Sequence, residues 1–165
     1  KEQSTSLSLA EEKYLVDLFL TKHTVSLQAY VFMLYTGIRR SELASISIDN
    51  DFVNVTCSKV RKGKKDKIRR IPISPILKNH LCKIDVEKIK ALKMTNISKT
   101  FKEFMPEHHL HELRHTFITR CQEVGIRREI ASLWAGHVAD TSITSTVYTH
   151  LEKNESIQRR HRPTL

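Results

Sequence analysis

A mainly α-helical domain carrying one small antiparallel β-sheet (class α+β) is the fold this sequence predicts. Three observations carry that expectation. Apolar residues recur at helical spacing over most of the chain. One stretch, Phe52 to Ile73, breaks the pattern with two β-branched runs around a basic loop. At 165 residues, 39% of them hydrophobic, the chain has the length of a single domain with a moderate core.

The elements follow in order. Residues 1–7 are polar and expected to fray. Ser8 opens a helix, and Glu11 three positions on completes a capping box. Leu9, Tyr14, Leu15, Leu18 and Phe19 supply its apolar face. Thr24 caps a second helix, Val25 to Thr36, which is apolar almost all round and therefore central, with Gly37 as its stop. Ser41 to Ile46 reads as a short helical turn. Phe52 to Thr56 is the first strand and Ile68 to Ile73 the return strand. Pro72 lies near the end of the latter, where a missing N–H is tolerated on an edge. Between them, Lys59 to Lys67, with Gly63, makes a cationic hairpin tip. After Pro75 helices are predicted over Ile76 to Ile84, Val86 to Leu92, Ile97 to Phe104 and about Leu110 to Val124, which Gly125 ends. Arg128 to Ala135 and Thr141 to Leu151 complete the set, before a basic tail at Arg159 to Pro163. No repeat or linker divides the chain.

Lys and Arg number 28 against 18 Asp and Glu, a formal net charge of +10. So strong a positive balance favours a polyanionic partner over a neutral small molecule. A merely solvated basic surface is the plain alternative. Cys57, Cys82 and Cys121 are far apart and odd in number. They form no CxxC pair and suggest neither zinc nor a disulfide framework, which fits a reducing cytoplasm. No apolar run reaches the length of a membrane span and no signal peptide opens the chain, so a soluble intracellular protein without membrane contact is expected.

Four short segments hold the residues that chemistry would use. They are Thr36-Gly37-Ile38-Arg39-Arg40-Ser41-Glu42-Leu43, His111-Glu112-Leu113-Arg114-His115-Thr116, Leu133-Trp134-Ala135-Gly136-His137 and Val147-Tyr148-Thr149-His150. Singly, each has a structural reading. Arg39 after a helix-ending glycine is a common surface residue, which Glu42 would pair or orient. Tyr148, Trp134 and Leu133 read as core. His111 and His115, one helical turn apart, suggest a metal pair, but no third ligand has the usual spacing and no HExxH glutamate stands between them. Together, two arginines, several histidines and a tyrosine in a very basic chain point to the handling of a phosphodiester.

The four segments, in this order, resemble the boxes of the tyrosine recombinases, the lambda-integrase (phage integrase) family of DNA strand-exchange enzymes. The resemblance spans about residues 8 to 151. It implies the family's catalytic-domain, DNA breaking-rejoining fold over residues 1–165, with the family's N-terminal DNA-binding domain absent from this chain. It also implies a homo-tetramer acting on paired sites in double-stranded DNA, in a cytoplasmic, nucleoid-associated setting, with neither metal nor other cofactor. Arg39 and Arg114 would grip the phosphate oxygens bidentately, which lysines do less well. His111 and His137 would donate further hydrogen bonds or help move a proton. Tyr148 would be the nucleophile, leaving a 3′-phosphotyrosine link and a free 5′-hydroxyl. In the family a hairpin lysine protonates the leaving oxygen; Lys59 stands at that place, with Lys62 and then Lys64 as rivals. Lys62, Lys64, Lys65, Lys67 and Arg69 would contact DNA phosphates.

Other readings stay open. His115 is as much structural as catalytic. Ala135 replaces a commonly larger aliphatic residue, and the stretch from His137 to Tyr148 is a little longer than in compact members. The biological job would be integration or excision of a mobile element, or Xer-like resolution of chromosome or plasmid dimers. Outside strand exchange stand a non-catalytic DNA-binding relative and a metal-dependent nuclease built on the histidines.

Overall fold

The computed structural model of the chain describes residues 5–56 and 67–136. Helix α1 (Leu9–Lys22) starts as the capping box requires: the Glu11 N–H donates to Ser8 Oγ at 3.1 Å, and the Ser8 N–H donates to Glu11 Oε1 at 2.9 Å. Its buried stripe is Leu15 and Phe19, one turn apart. The apolar face is narrower than the sequence suggested, because Leu9 is 68% and Tyr14 50% exposed. Both lie roughly 100° around the helix from that stripe.

Helix α2 (Val25–Leu34), capped by Thr24, is the central element and is buried from Leu27 through Leu34. The expected Val25 to Thr36 span stops two residues early. Tyr30 anchors it, its hydroxyl donating to the Ile97 carbonyl at 2.7 Å and its ring set edge-on against Phe101. Gly37 then turns the chain at φ +71°, and a Cβ there would come within 2.4 Å of Phe117 Cδ1. A side chain is excluded on both counts, backbone conformation and close approach.

A 3-10 helix, Arg40–Ser45, occupies most of the expected helical turn. Ile46, placed in that turn by the sequence reading, instead opens β1 (Ile46–Asp49), a strand not expected. β1 pairs with β2 (Phe52–Thr56) and β2 with β3 (Ile68–Pro72), both antiparallel, in the order β1-β2-β3. Ile46, Val53, Val55 and Ile71 point into the core.

Helices α3 (Pro75–Leu81), α4 (Val86–Lys90), α5 (Met94–Phe104), α6 (Glu112–Glu123) and α7 (Arg128–Trp134) fall close to expectation. α5 begins three residues earlier than predicted and α3 ends three residues sooner. α6 lies against α2, with its Leu113 and Phe117 buried, and α7 packs on α6 and β3. Among the described residues Cys82 is exposed and Cys121 buried, and no helix is long and apolar enough to cross a membrane. The helix expected over Thr141 to Leu151, Cys57 and the hairpin tip apart from Lys67 lie outside the described residues.

Candidate phosphate-binding site

The end of α7 gathers three arginines from distant parts of the chain. A helix leaves its last carbonyls without intrahelical partners, and they carry the negative end of the helix dipole. Here three successive carbonyls each accept from a guanidinium. Arg69 Nε donates to the Trp134 oxygen at 2.7 Å, Arg114 Nη1 to the Ala135 oxygen, and Arg39 Nη2 to the Gly136 oxygen at 3.3 Å. The two arginines singled out from the sequence, 75 positions apart in number, therefore meet at one turn.

Arg114 is the more enclosed of the two. Its Nη2 is buried and has no acceptor among the described residues, a costly condition for a cationic donor. Burial first, and then the charge of Arg39, pull its pKa down to about 10, with Glu42 opposing and Arg69 adding to the fall. The guanidinium remains cationic at neutral pH and is disposed to take an anion. Arg39 is exposed beside it. Both line an open cavity of about 780 Å³, with His111, Arg40, Ser98 and Lys99 on its other walls.

Behind these groups lies a buried ion pair. Arg69 Nη1 donates to Glu42 Oε2 at 2.8 Å and Nη2 to Oε1 at 3.0 Å, the two side chains being 4% and 2% exposed. Glu42 Oε1 also accepts the Arg39 N–H at 2.9 Å. Burial alone would raise the Glu42 pKa. The Arg69 hydrogen bonds, the Arg39 N–H and both cationic charges outweigh it and hold the carboxyl below its usual range. Gly136, at φ +80°, is backed directly by this pair: a Cβ there would lie 2.6 Å from Arg69 Nη1.

The expectation that Arg69 contacts DNA phosphates is thereby corrected. Pairing of Val55 with Arg69 sets it on the core face of the sheet, where it frames the site from within. The signal was present: 69 shares its parity with Ile71, and alternate strand residues share a face. Glu42, read from the sequence as a partner of Arg39, an orienting group or a helix residue, lies in the 3-10 helix, pairs with the Arg69 side chain and accepts the Arg39 backbone N–H, while Lys67 is exposed.

His111 is exposed at the start of α6, its ring stacked on His109 and edge-on to His115, each with centroids 5.7 Å apart. Burial, then His111 and Arg114, push the His115 pKa down, so its ring is neutral at physiological pH. Lys59, Lys62, Lys64, Lys65, His137 and Tyr148 lie outside the described residues.

No family model matches the chain. Its sequence is 31% identical over 166 residues to the tyrosine recombinase XerA of Pyrococcus furiosus, covering 88% of this chain and 57% of that protein. It is 29% identical over 117 residues to a XerC-like tyrosine recombinase of Caldanaerobacter subterraneus subsp. tengcongensis, covering 53% of this chain and 30% of that protein. The chain thus spans between 30% and 57% of the length of these relatives. Its fold is similar to that of a lambda integrase dimer bound to a COC′ core site, with a TM-score of 0.62 at 18% identity over 84% of this chain and 59% of that one. In sequence the chain is similar to these tyrosine recombinases, and its fold is that of the tyrosine recombinase catalytic domain.

Proposed function

We propose that the chain cleaves and rejoins DNA strands through a covalent 3′-phosphotyrosine intermediate. The observation that carries this reading is the convergence of Arg39 and Arg114 on one cavity, with Arg114 Nη2 buried and without an acceptor among the described residues. Negative charge grows on the non-bridging oxygens of a phosphodiester as a nucleophile approaches. Two preorganised guanidiniums neutralise that charge where it develops. Arg39, Arg114, His111 and His137 hold the scissile phosphate.

The Tyr148 oxygen attacks phosphorus; the bond from phosphorus to the tyrosine oxygen forms as the bond to the 5′-oxygen breaks. His111 or His137 helps remove the phenolic proton, which a group of pKa near ~10 does not lose unaided at neutral pH. Lys59 delivers a proton to the leaving 5′-oxygen, with Lys62 and Lys64 as the competing donors. One ester replaces another, so the bond energy is kept and no high-energy cofactor is consumed. Rejoining is the same exchange in reverse, with a 5′-hydroxyl as nucleophile.

Double-stranded DNA is the substrate, bound largely through its backbone, as a net charge of +10 favours. A homo-tetramer on paired sites completes strand exchange. Two biological roles divide the reading. Integration or excision of a mobile element is the first, supported by the likeness of fold to lambda integrase. The sequence likeness to XerA and XerC-like proteins supports the second, a Xer-like role.

The test is covalent trapping on a nicked duplex that loses the 5′-hydroxyl after cleavage, with a chelator present. A denaturation-resistant protein–DNA adduct is expected with the native chain and not with Tyr148→Phe. Cleavage that persists in Tyr148→Phe, or that the chelator abolishes, overturns the proposal in favour of a metal-dependent nuclease.

A further inference from the structure

One buried histidine has no part in the chemistry above. His108 lies between α5 and α6 and is 8% exposed. Its Nδ1 is 2.8 Å from Glu112 Oε2, and its Nε2 meets Glu11 Oε2. An imidazole with a carboxylate at each nitrogen satisfies both only as the imidazolium, which donates twice; a neutral ring turns a lone pair toward one of them. Burial lowers its pKa, but hydrogen bonds and charge from Glu11 and Glu112 more than offset this and raise it. Tyr14 from α1 and Glu107 line the same groove, to which α5 adds only Phe104.

The location gives this cluster its meaning. Glu112 is the first residue of α6 and stands between His111 and Arg114. The helix starts without an ordinary cap: His111 has helical backbone angles and makes no side-chain capping bond. Instead Glu112, 5% exposed, accepts the His109 N–H at 2.9 Å and the Thr5 N–H at 3.4 Å, in addition to His108. Glu11, on the opposite side of the ring, is fixed by the α1 capping box.

We propose that His108 is a positioning residue for the candidate phosphate site: clamped between Glu11 and Glu112, it ties α1 to the first turn of α6 and fixes how His111 and Arg114 enter that site. The inference rests on the DNA-cleavage reading above. Because the folded-state pKa of His108 is raised, the clamp is fully present below the ordinary histidine value and is lost as pH rises through the folded value.

Single-turnover cleavage of the nicked duplex is followed from pH about 6 to about 9, across the histidine range, for the native chain, His108→Ala and Glu11→Gln. The His108 ring is titrated in parallel by NMR on the free protein, and affinity for intact duplex is measured in a Tyr148→Phe background. His108→Ala is expected to slow cleavage by about 10- to 100-fold, the scale of a slightly misplaced reacting group, while duplex affinity stays within about threefold. Glu11→Gln keeps the capping box, since glutamine serves there too. It should move the His108 titration and the alkaline fall in cleavage to lower pH together, which a merely structural role does not do. An alkaline fall that stays in place while the NMR titration moves overturns the proposal, as does a His108→Ala enzyme of native rate. Should His108→Ala not fold, the Glu11→Gln comparison decides alone. If the native chain forms no adduct, the cleavage reading fails; the clamp is then tested by amide hydrogen exchange over Glu112 to Arg114, which Glu11→Gln speeds if the clamp exists and leaves unchanged if it does not.

Discussion

Replacing Glu42 by glutamine removes one negative charge from a site with almost no solvent. Arg69 then keeps its charge at 4% exposure with a neutral amide where it had a bidentate carboxylate partner. Breaking one side of a buried ion pair costs about 3–5 kcal/mol, chiefly from the charge left behind. The amide oxygen still accepts one hydrogen bond, so the lower end, about 3 kcal/mol, is the expectation. For a domain of this size that lowers Tm by roughly 6–12 °C. Equilibrium urea unfolding at neutral pH measures it, with Glu42→Met/Arg69→Met as the second arm. Removing both charges should recover part of the loss, because an apolar pair of similar volume carries no desolvation penalty. The difference between native and Glu42→Gln should also shrink in acid. The Glu42 pKa is lowered in the folded state, so its contribution is present above the ordinary glutamate value and is lost as pH falls through the folded one. A loss below about 1 kcal/mol, the level of an exposed pair, or strictly additive effects of the two substitutions, would refute the claim that this pair frames the arginines.

The other expectations concern the site itself. Gly136→Ala forces a side chain into positive φ and against Arg69 Nη1, so it should lose at least about 1–2 kcal/mol from the backbone conformation alone; chemical denaturation checks this. Arg114→Lys keeps the charge but loses the planar fork, and should lower single-turnover cleavage by about 10²–10³-fold, as loss of a transition-state donor does, with a much smaller change in duplex affinity. Lys59→Ala should lower cleavage of an ordinary phosphodiester, yet recover on a substrate whose 5′-bridging oxygen is sulfur, since a thiolate leaves without a proton. If only Lys62→Ala or Lys64→Ala shows that recovery, the general acid moves to that residue.

Local signals in the sequence are legible where local physics decides the outcome. The Ser8–Glu11 box, the Thr24 cap, Gly37 and the β2 boundaries depend on neighbours a few positions away, and each appears in the structure as expected. The failures are non-local. Ile46-Ser47-Ile48-Asp49 is too short to declare itself a strand; pairing with Val55 through Phe52 makes it one. Arg69 sits in a basic stretch and reads as surface, because its partner Glu42 comes 27 residues earlier. His108 next to His109 looks like one more loop histidine until α1 brings Glu11 to its far side. Of the candidate site, Arg39 and Arg114 were legible as a pair from their boxes, and the structure adds the shared turn at Ala135 and Gly136 that joins them.

Whether Tyr148 takes the 3′-phosphate of the cleaved strand is decided by digesting the trapped adduct and sequencing the nucleotide-bearing peptide by mass spectrometry. Strands labelled at either end give the polarity in the same sample. A single modified peptide is expected, modified at Tyr148, with the oligonucleotide joined through its 3′-phosphate and a free 5′-hydroxyl on the released strand. A nucleotide on any other residue, or a 5′-phosphate linkage, would contradict it.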